Sequence, residues 1–290
     1  MSDFFQYGFL LRSLIGAVAV GALAPTIGIF LVLRGLSFIG AGIAHAAFAG
    51  VTFGFLTGTN PLLMAFLFSA LSTGLVDLTE RYGDLKYDAA IGMFFSLTMA
   101  LAIIFIGLMK SYNTEVMGYL FGNILSITRL DILAIILVTV LAFSYVGGLF
   151  KELHFITFDE SLARASGIPV TPIFSGFLLM TSLTIVVSLK AVGVILVFAL
   201  LVIPAAAAYQ LTHNIRVMIA WAMVFGVFST TSGMFLSYYL DLPSGATIVV
   251  INSLIFGVSW LLSPKKTKCE PAALDAMEQE RDAAREEFTS

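Results

Sequence analysis

Val192–Ala208 reads VGVILVFALLVIPAAAA, and Ile248–Leu262 reads IVVINSLIFGVSWLL. Neither stretch carries a charge, and neither alternates apolar with polar residues. Strands of a membrane β-barrel alternate with a period of two, one face to lipid and one to the lumen, so these runs speak for helices. Working outward, similar runs occupy Phe9–Leu33, Ser37–Leu56, Pro61–Leu78, Ala89–Met109, Ile132–Phe150, Pro172–Leu189, Val192–Leu211, Val217–Leu240 and Ala246–Leu262. A helix needs about 20 apolar residues to cross the hydrocarbon layer. The expectation is an all-α integral membrane protein, a polytopic bundle of eight or nine transmembrane helices. The count turns on Lys190, where the break between two runs is only a few residues long. A shorter run, Val116–Ile127, is expected to lie at the interface or to re-enter the membrane.

Composition agrees. Hydrophobic residues make up 59% of the 290-residue chain, charged residues 11%, and mean hydropathy is +0.99. Soluble domains carry about 25% charged residues, so an ordinary soluble enzyme is excluded. The 25 glycines and 26 phenylalanines suit helices that pack closely and face acyl chains. A single cysteine, Cys269, excludes an intramolecular disulfide and a cysteine-rich metal site. The net charge of −3 does not point to nucleic acid. Met1–Tyr7 carries Asp3 and no base before Arg12, unlike a cleavable signal peptide, so the first run is expected to remain as a helix.

Lysine and arginine set orientation. Nine spans with the C-terminus in the cytoplasm put Arg34, Arg81, Lys86, Lys151, Arg164, Arg216, Lys265, Lys266 and Lys268 inside, and Arg12, Lys110, Arg129 and Lys190 outside. The chain divides into a transmembrane domain, residues 1–263, and a tail, 264–290. Cys269–Ser290 holds seven acidic residues and two arginines, too polar for membrane. The longest loop between spans, 151–171, is cytoplasmic in this scheme. Within it, Asp159 can cap a short helix, Gly167 can end it and Pro169 prevents its continuation. Such a helix suits docking on a partner.

Enzyme signatures are missing: no Gly-x-x-x-x-Gly-Lys-Ser/Thr, no His-Glu-x-x-His and no Gly-x-Ser-x-Gly. The exceptions to the apolar spans are therefore informative. Asp77, Asp88, Glu115, Asp131 and Asp241 fall near span ends, and Lys190 is expected to snorkel to an interface. His45 lies mid-span. An ionisable group inside a membrane is a candidate functional residue, and an imidazole can ligate a metal or carry a proton. Gly42, Ala46, Gly50, Gly54 and Gly58 recur every four residues on the same run, making one flat face for helix packing beside His45. Pro25 and Pro204 lie within runs, and Pro243-Ser244-Gly245 marks a turn.

Four stretches carry a resemblance: Val32-Leu33-Arg34-Gly35-Leu36-Ser37-Phe38-Ile39-Gly40 with Ile43-Ala44-His45-Ala46; Tyr119-Leu120-Phe121-Gly122-Asn123-Ile124-Leu125; Phe158-Asp159 with Ala163-Arg164-Ala165-Ser166-Gly167-Ile168; and Val192-Gly193-Val194-Ile195-Leu196 with Ile203-Pro204-Ala205-Ala206, followed by Asp241-Leu242-Pro243-Ser244-Gly245. In order and spacing the chain resembles the membrane permeases of zinc/manganese/iron ABC importers, over roughly residues 8–262. The resemblance implies a type II ABC importer-like fold and import of a divalent metal ion, zinc or manganese, across a prokaryotic plasma membrane. It implies a homodimer on a two-fold axis, separate ABC ATPase subunits that hold the ATP and Mg, an extracytoplasmic metal-binding protein, and no cofactor bound by this chain. Asp159, Glu160, Leu162, Ala163, Arg164 and Gly167 would then form the coupling helix, and His45 would lie on the metal pathway.

One departure stands out. These permeases usually carry an aspartate four residues before the histidine, where this chain has Ala41. Aspartate and histidine at that spacing share a helix face and could hold one cation together. Imidazole alone suits zinc, copper, iron or nickel better than manganese. A metal chelate is therefore the alternative cargo. A secondary transporter is a further alternative, but no carboxylate lies mid-span to couple an ion gradient. A membrane enzyme using His45 lacks a second ionisable group close in sequence.

Overall fold

The computed structural model describes residues 8–83, 87–109, 114–122 and 127–265. The helices in chain order are α1 (Gly8–Leu33), α2 (Ile39–Thr57), α3 (Pro61–Gly83), α4 (Tyr87–Leu108), α5 (Thr114–Phe121), α6 (Arg129–Gly148), α7 (Phe150–Phe158), α8 (Glu160–Ala165), α9 (Val170–Val192), α10 (Val194–Leu211), α11 (Ile215–Leu240) and α12 (Ser244–Leu261). Nine of them are long and apolar enough to cross a membrane: all but α5, α7 and α8. The higher of the two expected span counts therefore holds among the described residues. Met1–Tyr7, Lys86, Lys110, Asn123–Leu125 and the tail from Lys266, with Cys269, lie outside the described residues.

Lipid tails are as apolar as leucine, so burial from water does not pull these helices together. Close backbone approach and interhelical hydrogen bonds must do it. α1 and α2 form the enclosed centre, and α10 packs on both. Where α1 crosses α11, Gly21 meets Gly226 backbone to backbone, and the Thr230 hydroxyl donates to the Ala17 carbonyl at 2.8 Å. Between α3 and α9, Thr73 and Ser182 share a hydrogen bond of 3.0 Å. By contrast, α4 and α6 turn Met93, Leu97, Ile104, Leu133, Leu137 and Val140 outward.

The glycine run on α2 packs on two neighbours: Gly50 and Gly54 share the expected close face against α3, and Gly42 faces α4. Gly42 lies against Ile91 of α4, Gly50 against the Met64 carbonyl of α3, and Gly54 against Pro61. Gly58 makes no packing contact; at φ +69° it ends the helix in the left-handed region. The break between α9 and α10 is also a glycine effect. Gly193 has φ +87° and abuts Gly122, itself at φ +75° behind α5. Neither position has room for a side chain, so α5 locks the break from the side.

Lys190 has a partner that its sequence neighbourhood does not reveal. At the end of α9 its ammonium pairs with Asp131 at 2.8 Å. Asp131 already forms a capping box with Thr128 at the start of α6. The pair thus joins the first turn of α6 to the last turn of α9. Burial, with Asp131 and Glu115 nearby, pushes the Tyr119 phenol up to about 12, so it stays neutral. A correction concerns residues 151–171. The segment is not an extended loop holding one helix: α6 passes through Leu149 directly into α7, and α8 follows Asp159.

Overpacking a tight helix contact costs about 1–3 kcal/mol. Gly50→Ala should therefore lower the melting temperature of the purified protein, whereas Gly107→Ala, which meets open space, should leave it unchanged. For the ion pair, Lys190→Met and Asp131→Asn should each destabilise, and the double variant should lose less than their sum. A double-mutant cycle on thermal unfolding measures this.

Candidate functional site: a histidine-lined cavity and a short capped helix

α2 starts after a tight turn at Arg34–Phe38, closed by bonds from Gly35 to Val32 and from Leu36 to Leu31. Nearly the whole helix is buried, and His45 is among its few half-buried residues. The immediate neighbours of His45 in the chain, Ala44 and Ala46, are small and fully buried. The imidazole lies against the Phe95 ring of α4, centroids 4.4 Å apart.

His45 lines a cavity of about 950 Å³. The α1–α2 turn and α2 contribute Gly35, Ser37, Phe38 and Ala41; α4 contributes Asp88, Ile91, Gly92 and Phe95; α10 contributes Val194, Ile195 and Phe198. Most of this wall is apolar. The ring nitrogen Nδ1 of His45 is buried and has no hydrogen-bond partner, which leaves Nε2 as the nitrogen able to serve the cavity. Metal-bound histidines usually have the other nitrogen held by a carboxylate or carbonyl. Among the described residues no group of three or more histidine, cysteine, aspartate or glutamate side chains could hold a metal ion. The arrangement suits brief contact with a passing cation better than long retention.

The second feature is α8. The Asp159 carboxylate accepts from the Leu162 amide at 2.8 Å, and Gly167 ends the turn at φ +82°, as the sequence led one to expect. Ala163 is fully buried beneath the helix, while Leu162 and Phe158 stand out with 52% and 63% of their surface exposed. Glu160 is held on two sides: Arg164 donates to it at 2.7 Å, and Arg34, from the α1–α2 turn, pairs with its other oxygen. The Arg34 guanidinium also stacks 3.6 Å over the Phe174 ring of α9.

Reasoning from sequence missed this junction. Arg34 was counted only as an orienting charge, yet it ties α8 to the turn that begins α2. Beside it, the buried carboxylate of Asp77 accepts from Ser175 at 3.0 Å and from Tyr87 at 3.3 Å, joining α3, α9 and α4. These partners lie far apart in the chain, so no local pattern could pair them. Asp88 is the other omission. It reads as a span-end residue, but the structure turns it into the same cavity as His45.

This fold and these segments have counterparts. Residues 6–263 match the model of the ABC 3 transport family. The manganese transport system membrane protein MntC of Listeria innocua is 39% identical over 264 residues, which cover 90% of this chain and 93% of that protein. The manganese import system permease protein ScaB of Streptococcus gordonii is 36% identical over 263 residues, covering 90% and 94%. Among solved structures, PsaBC from Streptococcus pneumoniae in complex with Fab superposes with a TM-score of 0.82 at 32% identity, covering 92% of this chain and 97% of that one. A nine-span helical bundle, a histidine-bearing cavity and a family match over most of the chain lead to one assignment: the chain belongs to the ABC 3 transport family and is a multi-span membrane permease.

Proposed function

We propose that this permease is the membrane subunit of an ATP-driven importer of divalent metal ions, with manganese as its cargo. The observation that carries the reading is His45, a metal-competent side chain in the centre of an apolar bundle, lining a cavity between α2, α4 and α10. The named relatives MntC and ScaB support manganese. The excess of Lys and Arg on the side of Arg34, Lys151, Arg164 and Arg216 supports a cytoplasmic C-terminus in a plasma membrane. Two copies assemble about a two-fold axis in this reading, as the resemblance implies.

In this reading the ion arrives from an extracytoplasmic binding protein and passes His45 on its way inward. Conduction requires binding strong enough to admit the ion and weak enough to release it, and an imidazole whose other nitrogen has no hydrogen-bond partner meets both demands. Separate ATPase subunits supply the energy. They dock on α8 through Leu162 and Phe158, and Ala163 seats the helix on the bundle. Asp159 and Gly167 fix its two ends, and Arg164 orients Glu160. Movement of α8 then reaches the α1–α2 turn through Glu160 and Arg34, and so reaches the helix that carries His45.

The direct test is metal uptake, by elemental analysis, in cells that lack their own high-affinity importers and express the chain with its ATPase and binding-protein partners. His45→Ala should lower manganese uptake by roughly tenfold or more, in line with losses of this size at metal-contacting positions. Uptake that survives the substitution would remove His45 from the path, and no uptake of manganese, zinc or iron would overturn the importer reading. Coupling has its own test. Glu160→Arg should lower uptake by about tenfold while the ATPase subunits stay bound, and adding Arg34→Glu should restore much of it. Undiminished uptake in the single variant would sever the proposed link.

A further inference from the structure

We propose that Asp88 is a second contact for the transported cation, a carboxylate station one step inward from His45 that supplies the oxygen donor missing at Ala41. The proposal rests on the importer reading above.

The registration of two helices carries it. α2 and α4 run side by side in the same direction: Gly42 packs on Ile91, and the His45 ring lies on Phe95. The cavity wall therefore has matching levels on the two helices. Asp88 precedes Phe95 by two helical turns, about 10 Å along the axis, and precedes Ile91 by only about 4.5 Å. Ala41 is next to the residue that meets Ile91. The Asp88 carboxylate thus enters the cavity within about one turn of the position where the resembling permeases place an aspartate. Asp88 is also the carboxylate that the described residues contribute to the wall.

The surroundings leave this carboxylate available. Asp88 is exposed, and no described residue pairs with it or donates a hydrogen bond to it. The neighbouring acids are occupied instead: Asp77 by Ser175 and Tyr87, Glu160 by Arg34 and Arg164. The stretch of wall between Asp88 and His45 offers Ile91, Gly92 and Ala41, none with a competing charge. Metal–ligand bonds to imidazole or carboxylate are about 2 Å long, so groups separated by two turns serve one ion in succession, not together. The order is imidazole first, carboxylate second, at the end of the cavity where Gly35 adjoins the Arg34–Glu160 junction.

Oxygen donors favour manganese, whereas imidazole favours zinc, iron, copper and nickel. The carboxylate at Asp88 therefore bears on which ion passes. Losing it should weaken manganese more than zinc. The position next to the coupling junction also means that movement of the α1–α2 turn changes one wall of the Asp88 station, while α4 carries the other.

The test is the initial rate of uptake of manganese and of zinc, each offered alone as a simple salt, by cells expressing the full transporter complex. Asp88→Asn should lower manganese uptake by tenfold or more and zinc uptake by less than threefold. Asp88→Glu should retain at least a third of the manganese rate. Adding Ala41→Asp to Asp88→Asn should restore manganese uptake, because the carboxylate returns to the same stretch of wall from the facing helix. A folding defect would depress both metals alike and would not be rescued from α2, which would overturn the proposal. So would an Asp88→Asn complex that takes up manganese at the original rate while His45→Ala does not; that result leaves the importer reading standing. No metal uptake by the unsubstituted complex would overturn both readings together.

Discussion

Inside a membrane a helix gains little from being covered by another helix instead of by lipid, so the bundle depends on contacts that lipid cannot make. The centre of this permease is built from such contacts. Gly21 against Gly226, and Gly50 against the Met64 carbonyl, bring backbones together at distances that no larger residue allows. Thr230 and Thr73 add hydrogen bonds across the same crossings. Each contact is short-ranged and lost after a small displacement. A bundle held this way is stiff within its packed pairs and leaves room where large residues meet instead. The His45 cavity lies in such a place, with Phe38 and Phe198, 5.9 Å apart, propping α2 and α10.

Charge follows the same economy. A buried ion is tolerable only with a partner or with access to water. Lys190 has Asp131, and Arg34 has Glu160 and the face of Phe174. Asp77 has two hydroxyls. These groups sit at the two ends of the bundle: the first pair ties α6 to α9, and the others tie α1, α3, α4, α8 and α9 together. His45 has no charged partner, and its buried Nδ1, like Nη1 of Arg34 and the amide of Asn252, has no hydrogen-bond partner. A structural histidine in this position would be expected to find a carbonyl, since an unsatisfied buried nitrogen is destabilising. Its place against an aromatic ring and an open cavity, with no ion-pair partner, is what separates it from the paired charges.

Much of this was legible in the sequence because it is local. Helix existence follows from long runs without charge. The ends of α8 follow from Asp159 and Gly167, whose preferences are set by a cap hydrogen bond and by the absence of a Cβ. His45 was conspicuous because its run contains nothing else that ionises. What escaped was non-local. The partner of Lys190 lies about sixty residues away, and Arg34 and Glu160 are farther apart still. Asp88 was dismissed as a span-end residue because only the registration of α4 on α2 turns it into the cavity. The glycine repeat on α2 was legible in part: Gly50 and Gly54 pack on α3, and only Gly42 turns to another helix. A four-residue repeat predicts one face, but the helix is surrounded, and slow rotation of that face along the axis presents Gly42 to a different neighbour.

The alanine at position 41 can now be placed in physical terms. A cation held by aspartate and histidine on one helix face would have two ligands fixed at one level, and release would have to break both bonds at once. With Ala41 the imidazole stands alone at that level, and the cavity's carboxylate lies on the facing helix, nearer the Arg34–Glu160 junction. Separating the donors lowers the depth of any single well without emptying the path of ligands. It also puts them on different elements: His45 moves with α2, which begins at the turn held by Arg34, whereas Asp88 moves with α4, which is tied through Tyr87 to Asp77. Relative motion of α2 and α4 thus alters the distance between the two donors, which a site built on one helix could never do. If α8 is the coupling element proposed above, the energy supplied there need not pull an ion off a strong site. It needs only to change the spacing of two weak ones.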